Sequence, residues 1–528
     1  MLVSQVTLLQ EYLERNAAKY AAKTALVFKQ ERLTWGEVNE AADRLANCLR
    51  AAGVERGDRV VIYLDNGVQS AVSIFGVLKA GAVFSVVNSQ TKSDKLLYML
   101  NDCRAKALIT SKYLSRTYAE VLPDAPHLKV AFIAESETDI AHVRVMEYQA
   151  ALAAASSLPL PVRSITVDLA AIIYTSGSTG DPKGVMLTHQ NMVAAAESIT
   201  TYVRNVHDDV VVNVLPMSFD YGLYQWLMVN QFGGTLVLDS SFNYPAAVLK
   251  VIAEEQVTGL PVVPTIASLL AQFAQTGTTL PGVRYVTNTA AALSPTHIEV
   301  LKKVCPNARI YSMYGLTECK RVCYLPPEDL DRKPDSVGRA MPNMETFVLD
   351  PETQQEMPRG EVGELVVRGP QVMKGYWEKP EVTANWLKPG KIPGESWLWT
   401  GDFFKMDEEG YLYFVSRKDD IIKSRGEKVS PKEVENALYA LAGVQDAAVI
   451  GTPDPVFGEA IRAFLVLSPG VSYTKQQVIS HCGARLEGFM VPKYVTFLTE
   501  MQKTTSGKIT KKDLVGYARE HFSAGDEV

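Results

Sequence analysis

A loop rich in glycine and hydroxyl side chains follows an apolar run near residue 174. Residues 174–189 read YTSGSTGDPKGVMLTH, and residues 169–174 are apolar enough to form a buried strand. Glycine lets the backbone approach a ligand closely, and backbone N–H groups, hydroxyls and a lysine can hold phosphate oxygens. The pattern predicts a phosphate-binding loop between a strand and a helix. Its candidate donors are Thr175, Ser176, Gly177, Ser178, Thr179, Gly180 and Lys183.

The loop differs from the Walker A motif of P-loop kinases. That motif requires Gly-x4-Gly-Lys-Ser/Thr, whereas here Pro182 precedes Lys183 and Gly184 follows it. The spacing therefore excludes a P-loop kinase. Taken alone, such a loop is equally compatible with an ordinary surface connection, so its interpretation depends on the rest of the chain.

Further motifs extend almost to the C-terminus and share one family resemblance. They read YGLTE (314–318), DSVGRAMPN (335–343), GELVVRG (363–369), the block 397–435 containing WLWTGD and VSRKDD, and TTSGKITKKDL (504–514). Together with the loop, they resemble the motifs of the adenylate-forming enzymes, which include acyl-CoA synthetases, standalone amino-acid adenylation enzymes and luciferases. The resemblance covers essentially the whole chain.

The resemblance implies a two-step reaction that uses ATP and Mg²⁺. A free carboxylic acid is a poor electrophile because hydroxide leaves badly. In such enzymes the carboxylate attacks the α-phosphate of ATP, which gives acyl-AMP and pyrophosphate. The enzyme's task is mostly electrostatic, because an anion must approach a polyanion.

The resemblance also assigns the nucleotide contacts. Lys183 would reach the β- and γ-phosphates, Thr317 the α-phosphate, and Glu318 would help to hold Mg²⁺ through oxygen ligands. The adenine and ribose contacts implied by the family motifs are Tyr314, Gly315, Asp402 and Arg417. The segment NTAAALSP departs from the Gly-Gly-Ala-rich pattern of many relatives, and Ala291 in it would form a small-residue wall beside the adenine.

Three C-terminal residues carry the implied change between the two steps. Lys508 resembles the catalytic lysine that bridges the carboxylate and the α-phosphate. Asp419 matches the hinge about which the small C-terminal domain turns, and Gly426 lies on the face that then serves thioester formation. The predicted domains are a large N-terminal domain, 1–418, and a small mobile domain, 419–528.

The segment 216–226, PMSFDYGLYQW, is predicted to line the acid pocket with Phe219, Asp220 and Tyr224. In amino-acid adenylating relatives, an Asp in a similar Phe-Asp pair binds the substrate ammonium. An ion pair with Arg321, just past YGLTE, would neutralise Asp220 without any amine, or Arg321 could hold a second polar group of the substrate. The sequence leaves both a plain acyl acid and an amino acid open. Met313 completes the predicted pocket.

The acceptor is predicted to be a separate molecule. No carrier-protein motif follows Lys508, so the acyl group would pass to the thiol of CoA or of the phosphopantetheine on a separate carrier protein. The sequence therefore predicts an acid–thiol ligase, with a standalone amino-acid adenylation enzyme as the alternative.

Apolar strand patterns alternate with helical ones through most of the chain. This alternation predicts an α/β fold with mixed β-sheets flanked by helices in the N-terminal domain. After about residue 417 the pattern becomes a compact α+β unit. In it, Ser430 is a natural N-cap for a helix that has Pro431 at its first position.

Composition narrows the possible binding partners and the cellular environment of the protein. The 528 residues carry 53 basic and 59 acidic side chains, a net charge of −6 that argues against nucleic-acid binding. The six cysteines are scattered without a CxxC pair, which predicts reduced thiols in a cytoplasmic enzyme. No apolar run is long enough to span a membrane, and the first residues do not resemble a signal peptide.

Overall fold

Helices and strands alternate along the chain as the sequence predicts. The computed structural model describes residues 6–135, 142–175, 182–239, 242, 244–289, 293, 295–420, 422–424, 427–454, 458–503 and 509–521, without the side chains of residues 419, 423, 427 and 428. The α-helices in these ranges are α1 (Leu9–Tyr20), α2 (Trp35–Ala51), α3 (Val68–Lys79), α4 (Ser93–Asp102), α5 (Ser115–Val121), α6 (Tyr148–Ala154), α7 (His189–Val203), α8 (Asp220–Phe232), α9 (Pro245–Glu254), α10 (Pro264–Gln275), α11 (Pro295–Val304), α12 (Pro380–Trp386), α13 (Pro431–Tyr439), α14 (Lys475–Gly483) and α15 (Lys511–His521).

The strands between these helices are short in the N-terminal half and longer beyond it. They are β1 (Thr24–Phe28), β2 (Glu31–Thr34), β3 (Arg59–Tyr63), β4 (Val83–Val87), β5 (Ala107–Ser111), β6 (Val130–Ala134), β7 (Arg144–Glu147), β8 (Leu169–Thr175), β9 (Lys183–Thr188), β10 (Val210–Asn213), β11 (Thr235–Leu238), β12 (Gly259–Val262), β13 (Tyr285–Asn288), β14 (Arg309–Tyr314), β15 (Cys323–Leu325), β16 (Arg339–Ala340), β17 (Glu345–Leu349), β18 (Val362–Arg368), β19 (Gly375–Tyr376), β20 (Leu387–Pro389), β21 (Ser396–Met406), β22 (Leu412–Arg417), β23 (Ile422–Ser424), β24 (Glu427–Val429), β25 (Val444–Asp454), β26 (Gly458–Leu467) and β27 (Tyr494–Phe497).

Two large sheets form the body of the N-terminal part. In the described ranges, one sheet has eight strands in the order β19-β9-β8-β4-β3-β5-β6-β7, and the other has nine in the order β16-β15-β14-β13-β12-β10-β11-β1-β2. Most neighbours are parallel, with antiparallel strands at or near the edges. Parallel strands need crossover helices, which then cover the sheet faces. The predicted α/β class is confirmed.

The largest buried cluster joins the two sheets. It includes Leu26 from the nine-stranded sheet, Ile62 from the eight-stranded sheet and Trp226 from α8. The Trp226 indole stacks on that of Trp35 at a centroid distance of 6.0 Å, and the ring of Phe75 meets it edge-on at 5.9 Å. Because these rings come from three helices, α2, α3 and α8 are fixed against one another.

A smaller sheet leads from the N-terminal part to the C-terminal one. Strands β17, β18, β21, β20 and β22 form it, and it is followed by an α+β unit in which β24, β23, β26, β25 and β27 pair. The apolar clusters of this unit consist of residues from Ile422 onward. Ser430 caps α13, accepting a hydrogen bond from the Glu433 backbone N–H at 3.3 Å, as predicted. The predicted boundary between residues 418 and 419 falls inside the 3₁₀ helix Lys418–Asp420.

All six cysteines are buried and free of disulfides. Within the described ranges, the helices are too short or too polar to cross a bilayer.

Gly222 fixes how closely α8 approaches the chain before it. A Cβ built on Gly222 would lie 2.3 Å from the Pro216 carbonyl oxygen and 2.7 Å from that of Leu215. Both contacts are with backbone, which cannot move aside as a side chain can. The first turn of α8, which begins at Asp220, therefore depends on this glycine.

We expect Gly222→Ala to lower the free energy of unfolding by about 1–3 kcal/mol, the usual cost of overpacking. Gly516→Ala is the matched control, because Gly516 also lies in a helix but has nothing within 4 Å of a built Cβ. There alanine should be neutral or stabilising by about 0.5–1 kcal/mol, because it favours the helix. Chemical denaturation of both variants measures the difference. Equal stability of the two variants would contradict the steric argument.

Candidate functional site

The predicted phosphate loop connects two antiparallel strands. Thr175 ends β8, Lys183 begins β9, and the two are partners in the pairing of these strands. The Thr175 hydroxyl lies 3.5 Å from the Lys183 carbonyl oxygen. The five candidate donors between them lie outside the described residues; they are Ser176, Gly177, Ser178, Thr179 and Gly180.

The order strand–loop–helix predicted from the sequence omits a strand. Residues Lys183–Thr188 form β9 before α7 begins at His189. The apolar positions of KGVMLT pair with β8, and the Thr188 hydroxyl caps α7 by accepting from the Asn191 N–H at 3.1 Å. The loop is therefore held at both ends by one strand pair.

Tyr376 links Lys183 to Glu318. The Lys183 ammonium lies 5.7 Å from the centroid of the Tyr376 ring, and the Tyr376 hydroxyl donates to Glu318 Oε1 at 2.8 Å. Burial, followed by the charge of Glu318, raises the pKa of Tyr376, so the phenol keeps its proton and remains a donor. Sequence reasoning missed this residue, which lies outside every motif used above.

The strand that carries Tyr376 is fixed directly beside the loop. Strand β19 pairs with β9, so Tyr376 lies opposite Val185. The backbone N–H of Trp377 donates to the Gly184 carbonyl at 2.8 Å. Glu318 is 8% exposed, and its carbonyl accepts from the Met373 N–H at 2.7 Å. Lys183 and Glu318 therefore lie on either side of one tyrosine, although 135 residues separate them in sequence.

The predicted adenosine residues meet where the last residues of β14 and β22 lie beside the middle of β21. The Tyr314 hydroxyl donates to Asp402, which is 5% exposed. Arg417 pairs with Asp402 across β21 and β22, with its Nε 3.5 Å from Asp402 Oδ1. The Phe404 ring meets that of Tyr314 edge-on at 4.9 Å. Burial, then the Asp402 charge, raises the pKa of Tyr314, which keeps it a donor. Ala291 lies outside the described residues.

Gly315 has a steric role in the turn that follows β14. A Cβ on Gly315 would lie 2.1 Å from the Lys320 carbonyl oxygen. The turn closes with the Val322 N–H donating to the Tyr314 carbonyl at 2.9 Å, and Lys320 adopts φ of 67°. Only a residue without a side chain fits at Gly315, because the returning chain occupies that space.

The predicted acid pocket contains a buried ion cluster. Asp220, in the first turn of α8, has Oδ2 3.2 Å from Arg321 Nη1 and Oδ1 2.7 Å from Lys320 Nζ. The ion pair with Arg321 was one of the two alternatives from the sequence, and it is present. The participation of Lys320 was not predicted. The Tyr224 ring lies 5.7 Å from the Lys320 ammonium.

The other predicted pocket residues lie around this cluster. Phe219 is the residue before the first turn of α8. Met313 Sδ accepts from the Tyr202 hydroxyl at 2.8 Å, and the Tyr202 ring stacks on Tyr324 at 3.9 Å. Sequence reasoning missed these two tyrosines.

Of the three C-terminal candidate residues, only Asp419 lies within the described part of the chain. Asp419 lies in the 3₁₀ helix Lys418–Asp420, and nothing is described of its side chain. Gly426 and Lys508 lie outside the described residues. In the flanks, Lys503 forms a bridge with Ile509, and the Lys503 ammonium lies 2.8 Å from Asp446 Oδ2.

Comparison with known proteins agrees with these motifs. The profile of the family "AMP-binding enzyme" matches residues 13–377, and that of "AMP-binding enzyme C-terminal domain" matches residues 433–508. A long-chain-fatty-acid–CoA ligase of Bacillus subtilis is 32% identical over 96% of this chain and 94% of its own. A crotonobetaine/carnitine–CoA ligase of Proteus mirabilis is also 32% identical, over 94% of this chain and 97% of its own.

Solved structures give the same result. ATP-bound MatB from Rhodopseudomonas palustris superposes with a TM-score of 0.87 at 28% identity, covering 97% of this chain and 100% of that one. The anthranilate CoA ligase AuaEII in complex with anthranoyl-AMP gives a TM-score of 0.88 at 26% identity, covering 97% of both chains. The chain therefore belongs to the AMP-binding enzyme family and is an AMP-forming acid–thiol ligase of the acyl-CoA synthetase type.

Proposed function

We propose that this chain activates its acid at the site formed by Lys183, Glu318 and the Tyr314–Asp402 pair, and then transfers the acyl group to CoA. The observation that carries the proposal is the contact from Lys183 through the Tyr376 ring to Glu318. It brings a mobile cation of the phosphate loop and a buried carboxylate to the same place. An ATP phosphate chain needs both, one as a direct partner and the other through a metal ion.

The oxygen donors at this site suit Mg²⁺. Glu318 offers carboxylate oxygens, and among the described residues no cluster of three or more His, Cys, Asp or Glu side chains is present to form an all-protein metal cage. Mg²⁺ commonly binds through one or two carboxylates plus substrate phosphates and water. Glu318 would hold the ion, which would neutralise phosphate charge when bound, and the Tyr376 hydroxyl holds the Glu318 carboxylate in place.

The Tyr314–Asp402–Arg417 group is proposed to bind the adenosine. Asp402 is a buried carboxylate, and a carboxylate can accept from both hydroxyls of a ribose diol. Arg417, more exposed at the end of β22, lies beside it. Thr317, which directly precedes Glu318 in the chain, is proposed to bind the α-phosphate.

The second step is proposed to use the C-terminal domain. Lys508 would bridge the carboxylate and the α-phosphate during adenylation, and rotation about Asp419 would then bring the face around Gly426 to the acyl-AMP. The proposed division into residues 1–418 and 419–528 places this hinge directly after the strand that ends at Arg417. CoA is the proposed acceptor because the curated relatives described above are named as CoA ligases.

The ion cluster favours an acid without an α-amine. Both oxygens of Asp220 already have a cationic neighbour, Lys320 on one side and Arg321 on the other. A substrate ammonium would have to compete with these cations, and they would repel it. This supports a non-amino acid over the amino-acid alternative.

ATP–pyrophosphate exchange tests the first step directly. We expect exchange with a carboxylic acid, a loss on the order of a hundredfold or more in Lys508→Ala, and a strong decrease in Glu318→Ala, because both changes remove charge that acts on the phosphates. Lys512→Ala is the control, since it removes a lysine four residues further on. ATP binding without exchange for any fatty, aryl, dicarboxylic or amino acid would overturn the proposal.

Tyr376→Phe tests the link between Lys183 and Glu318. The variant keeps the ring beneath the Lys183 ammonium and removes only the hydroxyl that positions Glu318. We expect adenylation to fall by about 10–100-fold, with a higher Mg²⁺ concentration needed for half-maximal rate. Tyr473→Phe is the matched control, because it removes a hydroxyl bonded to the Ala442 carbonyl in the C-terminal unit. An unchanged Mg²⁺ requirement in Tyr376→Phe would show that the hydroxyl does not position a metal ligand.

A further inference from the structure

The charges of the acid pocket do not balance. Asp220 brings one negative charge, whereas Lys320 and Arg321 bring two positive ones. The Lys320 side chain is 0% exposed and that of Arg321 is 4% exposed, so water does not screen them well. Among the described residues, no other carboxylate lies within 4.0 Å of either cation. One buried positive charge is left over.

Arg321 also has an unused donor. Its Nη1 donates to Asp220 and to the Lys320 carbonyl, but its buried Nε has no hydrogen-bond partner in the described part of the chain. The Tyr224 hydroxyl is likewise buried without such a partner there. Leaving a buried donor unsatisfied costs about 1–3 kcal/mol, and more when the group is charged. A bound anion would remove this cost.

Beyond Asp220, Lys320 and Arg321 contact different neighbours. Lys320 Nζ donates to the Thr317 carbonyl at 3.1 Å, which places Lys320 next to the proposed α-phosphate contact. The Arg321 guanidinium instead lies 4.9 Å from the centroid of the Tyr221 ring, whose hydroxyl donates to the Thr287 carbonyl at 2.6 Å. Of the two cations, Lys320 is therefore the one bonded to the segment proposed to bind the α-phosphate, whereas Arg321 packs on Tyr221.

We propose that the acid substrate is a dicarboxylic acid, whose second, non-reacting carboxylate binds the guanidinium of Arg321. A guanidinium and a carboxylate match in charge and in planar geometry. A plain alkyl chain at this position would leave the Arg321 donor unsatisfied, and an ammonium would be repelled. This inference rests on the proposed adenylation of an acid at this site.

Matched substrate pairs test the proposal in the wild-type enzyme. Each pair is a linear dicarboxylic acid of three to eight carbons and its monomethyl ester, which keeps the carbon chain between the carboxyl groups, adds one methyl group and removes one negative charge. With the preferred length, kcat/KM for pyrophosphate release should be on the order of a hundredfold higher for the diacid than for its monoester. Fatty acids and amino acids complete the panel.

Arg321 variants then test the residue. Arg321→Met removes the charge while keeping much of the side-chain volume, and it leaves Asp220 paired with Lys320. We expect the diacid-to-monoester ratio of kcat/KM to fall by roughly a hundredfold, and Arg321→Lys to recover part of it because charge but not planar geometry is restored. An ATP-dependent thermal shift shows that each variant is folded. If Arg321→Met does not fold, the diacid-to-monoester ratio of kcat/KM in the wild-type enzyme decides whether the substrate is a dicarboxylic acid.

The outcomes separate this inference from the proposed function. Exchange with monoacids, fatty acids or amino acids and no preference for diacids would overturn the inference and leave adenylation intact. An amino acid whose exchange is abolished in Asp220→Ala would instead make Asp220 the amine-binding residue. Absence of exchange with every acid would overturn both. A diacid preference that persists unchanged in folded Arg321→Met would exclude Arg321 as its cause.

Discussion

The hydrogen bond from Tyr376 to Glu318 connects the base of the phosphate loop with the turn that carries Glu318. On one side is the eight-stranded sheet, in which β19 pairs with β9 at the base of the phosphate loop. On the other is the turn after β14 in the nine-stranded sheet. The bond is 2.8 Å long and buried. Together with the hydrogen bond from the Met373 N–H to the Glu318 carbonyl, it fixes the carboxylate relative to the phosphate loop.

This arrangement reduces the electrostatic repulsion between the two anionic reactants. Two anions must be brought together, so cations and oriented donors must already be in place before either anion arrives. The buried tyrosines contribute to this preorganisation. Because burial and a neighbouring carboxylate raise the pKa of both Tyr376 and Tyr314, each remains a hydrogen-bond donor to an acidic side chain. The carboxylates Glu318 and Asp402 are thereby held in fixed orientations.

The sequence was sufficient for the fold class, the family and the possible Asp220–Arg321 ion pair, because all three depend on local patterns or on motifs. It was insufficient where function depends on tertiary contact. Tyr376 sits on a two-residue strand 58 residues after Glu318, and neither periodicity nor spacing connects them. Lysine is seldom fully buried, and no feature of the sequence indicated that Lys320 would pair with Asp220. Strand β9 was missed because it has only six residues and ends directly before helix α7. From sequence alone, such a short segment looks like the end of the loop that leads into the helix.

The turn from Tyr314 to Val322 carries two sets of proposed contacts within a single backbone segment. Its first half holds Thr317 and Glu318, which are proposed to bind the nucleotide and its metal ion, and its second half holds the cations Lys320 and Arg321, which are proposed to face the acid. The segment is closed so tightly that Gly315 has no room for a Cβ. A redesign of substrate choice through residues 320 and 321 would therefore be transmitted by the backbone to the ATP side. Helix α8 faces the same pocket from a separate element, so alterations there are the better route to new acids with undiminished nucleotide affinity.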